Sequence, residues 1–149
     1  MGTEFSLERV LSYRRQKEQE LAVQLARMEE SYRQELDKLR KLQLEQVTLN
    51  ERWKSSLANG PLHPQRFIAQ DIYARTLEDK IRYQALQVSG LARDIENKRA
   101  QLLEAMKERK KIERLKEEWH RQVLKDQLRA ENNTIDEVGT NMHNRKASA

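Results

Sequence analysis

The sequence predicts an all-α protein, an antiparallel two-helix coiled-coil hairpin whose second helix is longer and projects past the first. Three observations carry this. Two long stretches repeat apolar residues in heptads. Both prolines and one of the four glycines fall in LANGPLHP, residues 57–64. Ala, Glu, Lys, Leu and Arg make up 78 of the 149 residues, a composition that with heptad periodicity belongs to long helices. With 36% charged residues and a mean hydropathy of −1.00, the chain has too little apolar surface for a thick core. A thin seam between two helices needs much less.

The first helix is expected over residues 6–58. Steps of four and three give Leu7, Leu11, Arg14, Glu18, Leu21, Leu25, Met28, Tyr32, Glu35, Leu39, Leu42, Gln46, Leu49 and Trp53. A 3.5-residue period held this long argues for a left-handed coiled coil. Leu36, Leu44, Val47 and Leu57 fall outside the stripe, so the packing face drifts toward the turn. Ser6 is placed to cap the first turn, Glu8 suits its positive end, and Phe5 with Val10 fits a hydrophobic staple. Residues 1–5 read as an N-terminal extension or cloning scar. The opening MGTEFS matches the myristoylation pattern, a short pattern that chance also produces.

Residues 59–64 form the turn. Asn59-Gly60 supplies a left-handed C-cap, Pro61 forbids continuation, and Pro64 suits a first helical position. The second helix is expected over 65–138, with its stripe at Leu77, Ile81, Gln84, Val88, Leu91, Ile95, Lys98, Leu102, Ala105, Arg109, Ile112, Lys116, Trp119 and Val123. At 1.5 Å per residue the helices would be roughly 75–80 Å and 100 Å or more long. Asn132, Asn133, Thr134 and Gly139 are poor helix formers, so residues 139–149 are expected to be a flexible tail.

A short turn sets the register. If Leu57 lies opposite Arg66, paired residue numbers add to about 123. Tyr32 then meets Gly90 or Leu91, and Gly90 reads as making room for that ring. Leu7 falls near Lys116, so residues from about 120 onward lack an intramolecular partner. A seam nevertheless continues there in a new phase: Leu124, Leu128, Glu131, Ile135, Val138 and Met142. An apolar seam on a lone helix seeks another surface.

Catalytic chemistry finds little to work with. His63, His120 and His143 are too far apart in a hairpin to converge, and neither a zinc motif nor a phosphate-binding loop is present. A two-helix rod offers no enclosed pocket to split carboxylate pKa values. The reading is therefore no enzyme, no cofactor and no metal. The chain has no cysteine, so a disulfide framework is excluded. No apolar run reaches a membrane span. The net charge of +5 is spread over a mixed surface; KERKK at 107–111 is interleaved with Glu104, Glu108 and Glu113, which favours a solvated face over nucleic-acid binding.

Function is left to surfaces, and two are candidates. One is the seam beyond residue 120. The other lies near the turn, where Leu42, Gln46, Leu49 and Trp53 on the first helix face Phe67, Ile68, Ile72, Tyr73 and Leu77 on the second. These residues read either as a plug closing the end of the coil or as a partner site.

Three stretches carry a family resemblance: FSLERVLSYRRQKEQE at the start, RFIAQDIYARTLEDKI after the turn, and ERLKEEWHRQVLKDQLRAENNTIDEVGTNMHNRK at the end. In order, spacing and total length the chain resembles the FliJ family of the bacterial flagellar type III export apparatus and its relatives in virulence secretion systems. The resemblance implies a cytoplasmic stalk and escort component, peripherally associated with the inner membrane at the flagellar base and similar to the central stalk of rotary ATPases. Its implied partners are the hexameric flagellar export ATPase, the export gate membrane protein and export chaperones for minor flagellar subunits, with no nucleic acid and no direct membrane insertion. Carried over by position, the gate-facing patch comprises Leu42, Gln46, Leu49, Trp53, Tyr73 and Leu77. Lys80 and Gln84 depart from the family pattern there. The end carrying the termini, with Leu124, Leu128, Ile135, Val138 and Met142, is implied to enter the ATPase ring. The competing reading is a generic coiled-coil adaptor or oligomerising protein of another assembly.

Overall fold

A computed structural model describes residues 4–61 and 63–148. They form two helices, α1 over Glu8–Ala58 and α2 over Pro64–Ala147, joined by a short turn. This is the antiparallel hairpin with a longer second helix. Contacts divide it into two units, each containing parts of both helices: Glu20–Leu102, which holds the turn, and Met1–Gln19 with Leu103–Ala149, which holds the termini.

The turn forms as its residue types dictate. Asn59 N–H donates to the Ser55 carbonyl at 3.2 Å, and Gly60 takes φ +127°, a conformation that L side chains rarely adopt. Pro64 opens α2, and the His63 carbonyl accepts the first helical bond from Phe67 N–H at 3.1 Å. Leu62, inside the quoted turn, lies outside the described residues.

In the turn unit, α1 and α2 meet along the expected stripes. Leu21, Leu77, Val88 and Ile95 are buried, and the remaining stripe positions are buried or half-buried. Cross-helix pairs fix the register. Trp53 stacks on Phe67 with ring centroids 5.3 Å apart, and Lys98 Nζ donates to Gln24 Oε1 at 3.0 Å. Their residue numbers add to about 120 and about 122, close to the expected 123.

One seam position is polar. Gln84 is buried, and its amide donates to the Glu35 carbonyl at 2.8 Å and to Glu35 Oε2 at 2.6 Å. A buried amide left unpaired would be costly, so this double bond ties Gln84 to one α1 partner. The Gln84 bond, with help from Lys38, holds the Glu35 carboxyl below its ordinary range.

The terminal unit has a compact apolar cluster of Phe5, Leu11 and Ile112, flanked by Leu7 and Trp119. Leu11 and Ile112 again add to about 123. Below this cluster the seam is ionic. Arg109 binds Glu18, with one bond of 3.3 Å, and reaches Glu113 at 2.9 Å; Glu113 also pairs with Arg15 at 3.4 Å. Lys116 and Glu8 close the same interface at 2.7 Å. The Arg109 and Glu18 side chains are only about a fifth exposed. Their mutual bonds raise the Arg109 pKa, Glu18 contributing more than Glu113, and Arg109 lowers that of Glu113.

Three expectations are corrected. Phe5, placed by the sequence in an N-terminal extension, is part of the packed interface: it is 8% exposed and tilted against Trp119 at 5.8 Å, while Val10 is 39% exposed. A Cβ on Gly90 would meet nothing within 4 Å, so Gly90 makes no room for Tyr32. Finally, α2 does not stop at Val138 but continues to Ala147. No proline interrupts it, and its weak residues find helical partners: Thr134 Oγ1 donates to the Ala130 carbonyl at 2.9 Å, and Ser148 N–H to the Asn144 carbonyl at 3.1 Å. Arg145 and Lys146 sit in the last turn, where cations are favoured. Residues 1–3, including the glycine of the myristoylation pattern, lie outside the described residues.

Candidate partner-binding surfaces

Within the terminal unit, α1 and the segment before it run out opposite Trp119. Every described residue of α2 from Leu124 onward is exposed. The change is abrupt because Val123, one residue earlier and last on the covered stripe, is still half-buried. Leu124 is 58% exposed, Ile135 66% and Met142 60%, with Leu128 and Val138 about half exposed. These five residues share one helical face. That face starts one residue out of phase with the covered stripe, so it is turned about 100° around the helix from the direction in which α1 packs. From Leu124 to Ala147 the helix extends about 36 Å along its axis. Lys125, Arg129, Arg145 and Lys146 balance Asp126, Glu131, Asp136 and Glu137, so this segment is uncharged overall.

The second surface lies in the turn unit. Its residues separate by depth. Leu77 is only 3% exposed and belongs to the seam, while Leu42, Gln46, Leu49 and Trp53 are half-buried and present an edge. Tyr73 is exposed, and its hydroxyl donates to the Glu45 carboxylate of α1. Beside Trp53 a groove of about 220 Å³ is lined by Leu49, Asn50, Phe67, Gln70, Asp71 and Ala74. Phe67, Ile68, Ile72, Leu44 and Val47 all remain more than half exposed. Apolar side chains near the turn thus occupy more than one face. A plug accounts for Trp53 on Phe67 and not for Ile68 and Ile72.

Of the two positions that depart from the family pattern, Lys80 is exposed and Gln84 is committed to Glu35. Phe67 was absent from the carried-over patch yet forms one wall of the groove. The register pointed to it, since it stands opposite Trp53.

Among the described residues, no group of three His, Cys, Asp or Glu side chains is placed to hold a metal ion, and no helix is long and apolar enough to cross a membrane. A family model described as "Flagellar FliJ protein" matches residues 3–148. No curated protein and no solved structure matches the chain.

Proposed function

The chain belongs to the flagellar FliJ protein family, a component of flagellar protein export, and from that premise we propose that it is the stalk that joins the export ATPase to the export gate. The observation that carries the reading is the uncovered seam on α2 from Leu124 to Ala147. A helix that presents Leu124, Leu128, Ile135, Val138 and Met142 on one face, without net charge, is built to enter an apolar-lined opening. In this reading the terminal unit inserts into the pore of the hexameric ATPase. Balanced charge on the inserted segment avoids one deep electrostatic minimum, which suits a stalk that must not lock at a single position.

The turn unit meets the gate through the edge formed by Leu42, Gln46, Leu49, Trp53 and Tyr73, with Leu77 supporting them from beneath. Escort chaperones for minor flagellar subunits are further partners, and the protein works in the cytoplasm at the inner face of the membrane. Nothing in this role requires catalysis by the chain itself.

Co-purification with the cognate export ATPase, with ATP hydrolysis followed in parallel, tests the assignment. The full chain should bind the ring and stimulate hydrolysis. A chain lacking residues 124–149 should do neither while keeping its helical hairpin. Unchanged binding and stimulation by the truncated chain would remove the seam from the ATPase. Loss of gate binding on Trp53→Ala, with ATPase stimulation retained, would support the division between the two units.

A further inference from the structure

Between Lys107 and Lys125 the sequence of α2 interleaves eight cations with four carboxylates. The helix does not keep them mixed. Arg109 and Lys116 turn inward to Glu18 and Glu8 of α1, and Glu113 turns inward with them, held by Arg109 and Arg15. Lys107, Lys110, Lys111, Arg114, Arg121 and Lys125 are exposed. At about 100° of turn per residue, these six fall within a sector of about 100° on the side of α2 away from α1. Glu118 is the one carboxylate that shares the sector. Glu104, Glu108 and Glu117 stand outside its borders and pair along the helix with Lys107, Lys111 and Arg121. Among the described residues, Lys110, Arg114 and Lys125 have no carboxylate partner. The outcome is a row of cations about 27 Å long on the outer face of the terminal unit.

We propose that this face adsorbs to an anionic lipid surface. Between Lys107 and Lys125 the sector holds no apolar side chain, so a partner helix finds no seam there to pack against. It holds no aromatic side chain, so unpaired bases find nothing to stack on. Four of the six cations are lysines, hydrated point charges on flexible stems, which suit diffuse attraction better than bidentate recognition of a single group.

An anionic bilayer makes no further demand. It is flat, so one face of a helix meets it along the whole row. Its headgroups also diffuse to whatever spacing the fixed cations set, whereas an acidic protein surface would have to match that spacing. Each lysine or arginine near such a surface adds to the attraction, and the contact needs no insertion. The inference goes beyond the stalk reading, since purified chain and vesicles test it without the ATPase or the gate. The terminal unit cannot lie on a bilayer and inside a ring at once, so adsorption belongs to the chain that is not engaged with the ring.

Cosedimentation of the full chain with vesicles is the test. Vesicles of about 40% phosphatidylglycerol in phosphatidylcholine should bind the chain at about 50 mM salt and release it at about 500 mM, as screening shortens the reach of the charges. Pure phosphatidylcholine vesicles should leave it in solution. Lys110→Glu combined with Arg114→Glu should weaken binding about tenfold or more with helicity unchanged. Lys54→Glu combined with Lys80→Glu makes the same change of charge on exposed residues of the turn unit and should weaken it by less than about threefold. No binding at low salt would overturn the proposal. So would equal binding to neutral vesicles, which would assign the attachment to the apolar seam, or equal weakening by both double variants, which would reduce it to net charge. Tighter binding to duplex DNA than to the anionic vesicles at the same salt would overturn it in favour of a nucleic-acid surface.

Discussion

Helix α2 contains two stretches of similar chemistry and opposite circumstance. From Leu77 to Val123 its seam is covered by α1, and every stripe position is buried or half-buried. From Leu124 to Met142 it carries an apolar seam of the same spacing, and every residue is exposed. Heptad pattern alone does not separate them. What separates them is cover: Phe5 and Leu7 pack at Trp119, and among the described residues nothing covers α2 beyond Val123. In one helix, the same kind of stripe holds the fold together in one place and is left exposed in the other.

The largest effect that would test this contrast is truncation of a seam leucine. Leu11→Ala or Leu77→Ala should cost about 2–5 kcal/mol in thermal or denaturant unfolding, because each side chain is nearly or fully buried. Leu128→Ala, measured at low chain concentration, should stay within about 0.5 kcal/mol, as exposed substitutions do. Equal losses at Leu11 and Leu128 would erase the distinction.

Next in size is the ionic layer of the terminal unit. Arg109→Ala leaves Glu18 and Glu113 without their shared partner and should cost about 1–3 kcal/mol, whereas Arg33→Ala, which breaks only an exposed pair with Glu30, should cost less than about 1 kcal/mol. A smaller effect comes with acid. Glu35 and Glu113 both have depressed pKa values in the folded chain, Glu35 through Gln84 and Lys38, Glu113 through Arg109 and Arg15. Their contribution is therefore present above the ordinary value of 4.5 and is lost as pH falls through the lower folded values. The melting temperature should hold from neutral pH to about 5 and then decline, and Glu113→Gln should flatten part of that decline.

The smallest effect concerns glycine. A Cβ on Gly90 or Gly139 would meet nothing, so alanine at either should add up to about 1 kcal/mol of helix propensity. At Gly90 this should raise the melting temperature of the fold. At Gly139 it should raise helicity alone, because no tertiary contact depends on it.

How much of this was legible in the sequence varies with its physical origin. The two stripes were readable in full, since a 3.5-residue period over fourteen positions leaves little freedom in what faces what. The turn was equally plain, because Gly60 occupies a positive-φ position that few other residues fit and Pro64 stands at the first helical position, where proline is tolerated. Phe5 was misread because it precedes the helix, and its burial depends on Trp119, more than a hundred residues away. The extent of α2 was underestimated because propensity weighs Asn133 and Gly139 one at a time, while an unbroken helix carries them at modest cost. Gln84 was readable as a stripe position, and only the position of Glu35 across the seam shows what it holds. The turn surface stays divided between plug and docking site: Trp53 stacks on Phe67, while Ile68 and Ile72 are more than half exposed.

Hydrogen exchange along α2, with and without the cognate export ATPase, tests the central contrast most directly. For the chain alone and dilute, amides beside Val88, Ile95 and Ile112 should be the most protected, and those from Leu124 to Ala147 should exchange within the first time points. Adding the ATPase ring should slow exchange in the second stretch and leave the first unchanged. Protection of residues 124–147 equal to that of the covered stretch in the dilute chain, or no change there on adding the ring, would contradict the account.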